Sequence, residues 1–121
     1  MPSDWPRPVV HFQVHAKDQA KQEAFYREMF DWDITQAEGT PIATIPPGKG
    51  PPDVGIGGSL IQSDRAPTIV LYIQVADLGE SLLLAGRLGG KAVLQPVDLP
   101  NGPTIAQIED PEGNVVGLVQ M

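Results

Sequence analysis

The order of elements predicted from this chain runs twice. VVHFQVH, residues 9–15, alternates: Val10, Phe12 and Val14 share one strand face, and His11, Gln13 and His15 share the other. Asp18 then predicts a helix N-cap, with the helix running to about Phe30. Ala20, Ala24, Phe25 and Met29 predict the stripe that turns toward the core. WDITQ and PIATIP predict two strands around an EGT turn, and VGIGGSLI a fourth strand weakened by Gly57 and Gly58.

From residue 68 the same order returns. TIVLYIQVAD places Ile69, Leu71, Ile73 and Val75 on one face, and Val70, Tyr72 and Gln74 on the other. Asp77 and Glu80 resemble a capping box, and a Leu-rich helix stops at Gly89. KAVLQPV, TIAQIED and NVVGLVQ supply three more strands. The two cap aspartates, Asp18 and Asp77, lie near half the chain length apart, and FQV matches IQV locally. The reading is a duplicated β-α-β-β-β unit within one α+β domain, with modules at about 8–62 and 67–121. Each helix covers the apolar face of its sheet. The polar faces then form a curved mixed sheet around a pocket, presenting His11, Gln13, His15, Tyr72 and Gln74.

Composition narrows the function classes. No cysteine means no disulfide, no thiolate metal site and no cysteine nucleophile. Eight Lys and Arg stand against 15 Asp and Glu, a net charge of −7, so the surface repels phosphate backbones and nucleic acid is not an expected partner. The longest leucine run, Leu82–Leu84, is too short to span a membrane, and the expected location is the cytoplasm. No serine has a G-x-S-x-G context, and neither GKGPPD nor GIGG fits a phosphate or dinucleotide loop.

FYREMFDW, DLGESLLLAGRLGGK and DPEGNVVGLVQ, in this order, resemble the vicinal oxygen chelate superfamily of glyoxalase I, extradiol dioxygenases and bleomycin-resistance proteins. The resemblance implies a homodimer. It also implies a divalent metal held by four side chains, one from the first and one from the last strand of each module. His11, 14 residues before Phe25, matches the first-strand histidine. The fifth-strand position, 19 residues before Gly89, falls on Val70. The last-strand position, four residues after the Gly of DPEG, is Gly117, where the carboxylate is absent. Val54–Ile61 contains no Asp, Glu or His in any register. Either Gly117 leaves the wall open, or a neighbouring group packs onto it.

The expectation is a small-molecule binder without the superfamily's metal site and without a cofactor. His11, Gln13, Tyr72, Gln74 and Gln107 would line its pocket, and Gly57 and Gly117 would give room. The alternative is a metal-dependent lyase, isomerase or dioxygenase of the glyoxalase type with His11 as one ligand. A third reading uses His11 as a metal-free acid–base.

Overall fold

The structure, a computed structural model, describes residues 5–36, 40–48, 55–99 and 102–120. Most of the EGT turn and most of the PPGKGPPD stretch, residues 46–53, lie outside the described residues. The fold is α+β, with eight strands and two helices among the described residues, and the chain divides into two compact units, residues 11–70 and residues 71–121 with 1–10.

In the first unit, β1 (Val9–Ala16) leads to α1 (Gln19–Phe30), β2 (Thr35–Gln36), β3 (Ala43–Ile45) and β4 (Gly58–Gln62). β1 runs parallel to β4, β4 antiparallel to β3, and β3 antiparallel to β2. Asp18 caps α1 by accepting from the Lys21 N–H at 3.1 Å. Val14, Ala16, Ile34, Ala43, Ile45 and Leu60 form the core, with Phe12, Tyr26 and Trp32 packed against it.

The stripe expected to bury α1 is the wrong one. Phe25 and Met29 are 54% and 61% exposed, and no residue of α1 is fully buried. The half-buried positions are instead Gln19, Gln22, Glu23 and Tyr26, the same i, i+3, i+4, i+7 spacing on a different face. Two interactions set that rotation. Gln19 and Gln62 exchange backbone-to-side-chain hydrogen bonds at 3.1 and 3.3 Å, pinning the start of the helix to β4. Tyr26 stacks on Trp32 with ring centres 5.3 Å apart, pinning the end, so Trp32 packs beneath the helix end. A polar anchor and an aromatic stack outweighed apolar spacing here.

The second unit repeats the topology with β5 (Thr68–Gln74), α2 (Leu78–Arg87), β6 (Lys91–Asp98), β7 (Thr104–Glu109) and β8 (Val115–Gln120). β5 is parallel to β8, β8 antiparallel to β7, and β7 antiparallel to β6. Val75, Leu78, Ala106 and Leu118 form its core, with Ile73, Leu82 and Ile108 against them. The helix-facing side of β5 is shorter than the alternation suggests: Ile69 and Leu71 are exposed, while Val70 and Tyr72 on the opposite side are buried. Asp77 accepts the Glu80 N–H at 2.8 Å. Asp77→Ala is therefore expected to cost about 1 kcal/mol, the usual value of an N-cap, read as a lower urea midpoint with an unchanged slope.

The closing turn is held by Asp110. Its carboxylate accepts from the backbone N–H groups of Glu112 and Asn114, each at 2.9 Å, and from the Asn114 amide at 2.8 Å. Gly113, at φ +95, donates its N–H back to the Asp110 carbonyl. This turn sets the start of β8 and thereby the position of Gly117.

Candidate functional site

Strand alternation sorts the candidate residues. Phe12, Val14 and Leu60 belong to the core under α1, so His11, Gln13 and Ser59 point to the other face of the same sheet. They meet there. His11 Nε2 lies 3.0 Å from Ser59 Oγ, and Gln13 Nε2 donates to the same oxygen at 3.3 Å. Ser59 is buried and was missed by the sequence reading, which considered serines only as nucleophiles. The signal was present: in GSLIQ, Ser59 precedes the apolar Leu60, so alternation alone sends it to the polar face.

Burial holds the His11 imidazole below its ordinary proton affinity, so it is neutral near pH 7. His15, on the same strand face, is only 7% exposed, and neither ring nitrogen has a hydrogen-bond partner. Its proton affinity is lowered too, first by burial and then by the Arg65 charge. Both histidines therefore bind protons less readily folded than unfolded. Above the ordinary value of 6.5 neither state takes up the proton and stability is flat. As pH falls below 6.5 the unfolded chain protonates first, and stability is lost. Urea midpoints should thus decline between about pH 6.5 and 5, and the decline should shrink in His11→Gln and His15→Gln variants.

In the second unit, Ile73, Ala106 and Leu118 face α2, so Tyr72, Gln107 and Gly117 share the opposite face. Tyr72 pairs with Gly117 across β5 and β8, and Gly117 pairs with Gln107 across β8 and β7. Gln107 Nε2 donates to the Tyr72 hydroxyl at 2.9 Å, with both residues buried. Gln74 shares the face by alternation, and its backbone N–H donates to the Pro8 carbonyl at 2.9 Å.

Neither glycine gives the room expected of it. A Cβ on Gly117 would stand 2.4 Å from two ring carbons of Tyr72, so the aromatic ring lies directly over this residue. Of the two readings of Gly117, the packed one holds. A Cβ on Gly57 would meet the Ile45 carbonyl at 3.1 Å and the Pro47 ring at 3.3 Å. Both spaces are filled from within the unit.

The divalent ion implied by the superfamily does not fit these residues. Among the described residues no three His, Cys, Asp or Glu side chains come together. His11 is engaged with the Ser59 hydroxyl, Val70 is fully buried and apolar, and the Tyr72 ring covers Gly117, the position the resemblance assigns to the last-strand ligand. A tight divalent site needs several carboxylates or imidazoles.

The chain has the fold of the vicinal oxygen chelate superfamily, the glyoxalase-like fold. It is similar in structure to methylmalonyl-CoA epimerase from Mycobacterium tuberculosis, at TM-score 0.69 and 17% identity over 99% of this chain and 92% of that one. A Streptomyces coelicolor methylmalonyl-CoA epimerase variant in complex with 2-nitronate-propionyl-CoA superposes at TM-score 0.64 and 14% identity, covering 93% and 95%. A hypothetical protein from Bacillus halodurans C-125 does so at TM-score 0.66 and 14% identity, covering 95% and 94%. No family model and no curated protein sequence matches the chain. No helix among the described residues is long and apolar enough to cross a membrane.

Proposed function

We propose that this chain is a small-molecule-binding protein on a glyoxalase-like fold, of the bleomycin-resistance kind, that works without the four-ligand metal site. The supporting observation is the Tyr72 ring seated on Gly117, the position to which the sequence resemblance assigns the last-strand carboxylate. The candidate ligand contacts are His11 and Gln13 in the first unit and, as a separate set, Tyr72, Gln74 and Gln107 in the second. These side chains offer hydrogen bonds and an aromatic face without formal charge, which suits an uncharged or cationic organic ligand. The net charge of −7 favours the cationic one. A homodimer and a cytoplasmic location belong to this proposal.

The test is a melting-temperature screen with bleomycin and a panel of cationic aromatic compounds. A ligand at 100 times its Kd stabilises the fold by about 2.7 kcal/mol. The proposal expects at least one saturable shift that is lost in His11→Ala and weakened in Gln13→Ala. Shifts indifferent to both substitutions contradict it.

A second reading is acid–base isomerisation by His11. It draws on the similar solved structures, described as epimerases, and on the imidazole's being kept neutral beside the Ser59 hydroxyl. It predicts solvent-deuterium exchange into methylmalonyl-CoA that disappears in His11→Gln. Absence of exchange by the unmodified protein rejects it.

A further inference from the structure

Helix α2 has two faces. Leu78, Ser81, Leu82 and Ala85, at i, i+3, i+4 and i+7, turn inward: Leu78 is buried and Leu82 packs on the core of its unit. Glu80, Leu83, Leu84, Arg87 and Leu88 repeat that spacing on the outer face, and all five are exposed. Leu83, Leu84 and Leu88 are 67%, 46% and 68% exposed. A single exposed leucine is ordinary, but three on one face of a short helix form a patch that calls for a covering partner.

The charges on this face have an order. Glu80 stands three residues before Leu83, and Arg87 three residues after Leu84. They lie about 10 Å apart along the helix axis, too far to pair with each other. Neither makes an ion pair among the described residues. A helix laid antiparallel on this face fits if it has apolar residues at its centre, a cation opposite Glu80 and an anion opposite Arg87. A second copy of α2, related by a two-fold axis between Leu83 and Leu84, meets all three conditions. Its Arg87 falls opposite Glu80, its Glu80 opposite Arg87, and the central leucines meet. Leu88 falls opposite Gly79 of the second copy. A Cβ on Gly79 would meet only the Asp77 carboxylate among the described residues, at 3.4 Å, so that position is open. A parallel copy would instead set like charges together. An anionic membrane surface is disfavoured by the net charge of −7.

Helix α1 carries the equivalent face with the charges exchanged: Lys21, Ala24, Phe25, Glu28 and Met29 are all exposed. It has two large apolar side chains where α2 has three leucines, and its charge order suits a parallel α2.

We propose that the outer face of α2 is a dimerisation surface, on which α2 of a second copy packs antiparallel through Leu83 and Leu84 with two reciprocal Glu80–Arg87 pairs. This gives the homodimer of the proposed function a surface, and it rests on that reading only in requiring that two copies meet. A helix of 10 residues spans about 15 Å, and one face of it falls short of the roughly 800 Å² per partner of a standard interface. The dimer is therefore weak, dissociating in the micromolar range or above.

The full-length chain and its variants are followed by sedimentation equilibrium from micromolar to millimolar concentration, with circular dichroism to confirm the fold. The expected result for the parent chain is a monomer–dimer equilibrium. Glu80→Lys and Arg87→Glu should each raise the dissociation constant at least about tenfold, because each sets two like-charged pairs across the two-fold axis. An equimolar mixture of these two variants should restore association, since both pairs in the mixed dimer are again opposite in sign. Leu83→Gln should weaken the dimer without lowering the urea midpoint of the monomer. A dimer indifferent to all three substitutions overturns this surface and leaves the homodimer standing. A parent chain that stays monomeric at every concentration overturns both. Dissociation by the single variants with no recovery in the mixture overturns the antiparallel α2 pairing, and points to Lys21 and Glu28 of α1 as the facing charges.

Discussion

Replacing Gly117 by alanine is expected to destabilise the chain by about 2–3 kcal/mol, although it adds only one methyl group. In an ordinary strand the change has the opposite sign, because glycine is worse than alanine by roughly 0.5–1 kcal/mol. The reversal comes from the Tyr72 ring, whose Cδ2 and Cε2 lie 2.4 Å from the Cβ position. The ring has little freedom to retreat. Tyr72 is buried, its backbone is in register with Gly117, and its hydroxyl accepts from Gln107. The measurement is a melting temperature about 10 °C below that of the parent chain. A double-mutant cycle gives the cause: in a Tyr72→Ala background the Gly117→Ala change should cost nothing or stabilise. If Gly117→Ala is neutral in the parent chain, the account of this strand fails. The same geometry makes Gly117→Glu a poor route to a metal site, since the carboxylate must displace the ring first.

Gly58→Ala is expected to cost about 2 kcal/mol for a related reason. A Cβ there would meet Cε1, Cζ and Cε2 of Phe12 at 2.6–2.7 Å, and Phe12 pairs with Gly58 across β1 and β4. Both modules thus seat an aromatic residue of the first strand on a glycine of the last. The faces differ: Phe12 lies on the core side with Trp32, 5.8 Å away between ring centres, while Tyr72 lies on the side opposite its helix. The expected penalty is smaller than at Gly117 because Phe12 is only half-buried and carries no hydroxyl to hold it. Phe12→Leu in the Gly58→Ala background should restore part of the loss, read by urea midpoint. An equal loss in both backgrounds would show that the ring is not the cause.

What the sequence revealed depended on how far apart the interacting residues lie. Asp18 and Asp77 were legible as caps because an N-cap contacts a backbone group three residues on. The faces of β1 and β5 followed from alternation, which is why His11 shares a face with Gln13, and Tyr72 with Gln74. Gly117 was not resolvable this way, because its answer lies in the long-range β5–β8 register. The rotation of α1 was misread because Phe25 and Met29 satisfied the helical period but Gln19 and Tyr26 found the stronger partners, in Gln62 and Trp32. Ser59 went unnoticed because its role is to join His11 to Gln13, which no local motif announces.

The most direct test of the account is the protein's own affinity for divalent metal. The chain is purified without chelators, its bound Zn²⁺, Ni²⁺, Mn²⁺ and Fe²⁺ are counted, and each ion is then titrated while the melting temperature is followed. The account predicts substoichiometric metal and no saturable rise, in the parent and in His11→Ala alike. About one ion per chain, raising the melting temperature and lost with His11→Ala, would contradict it.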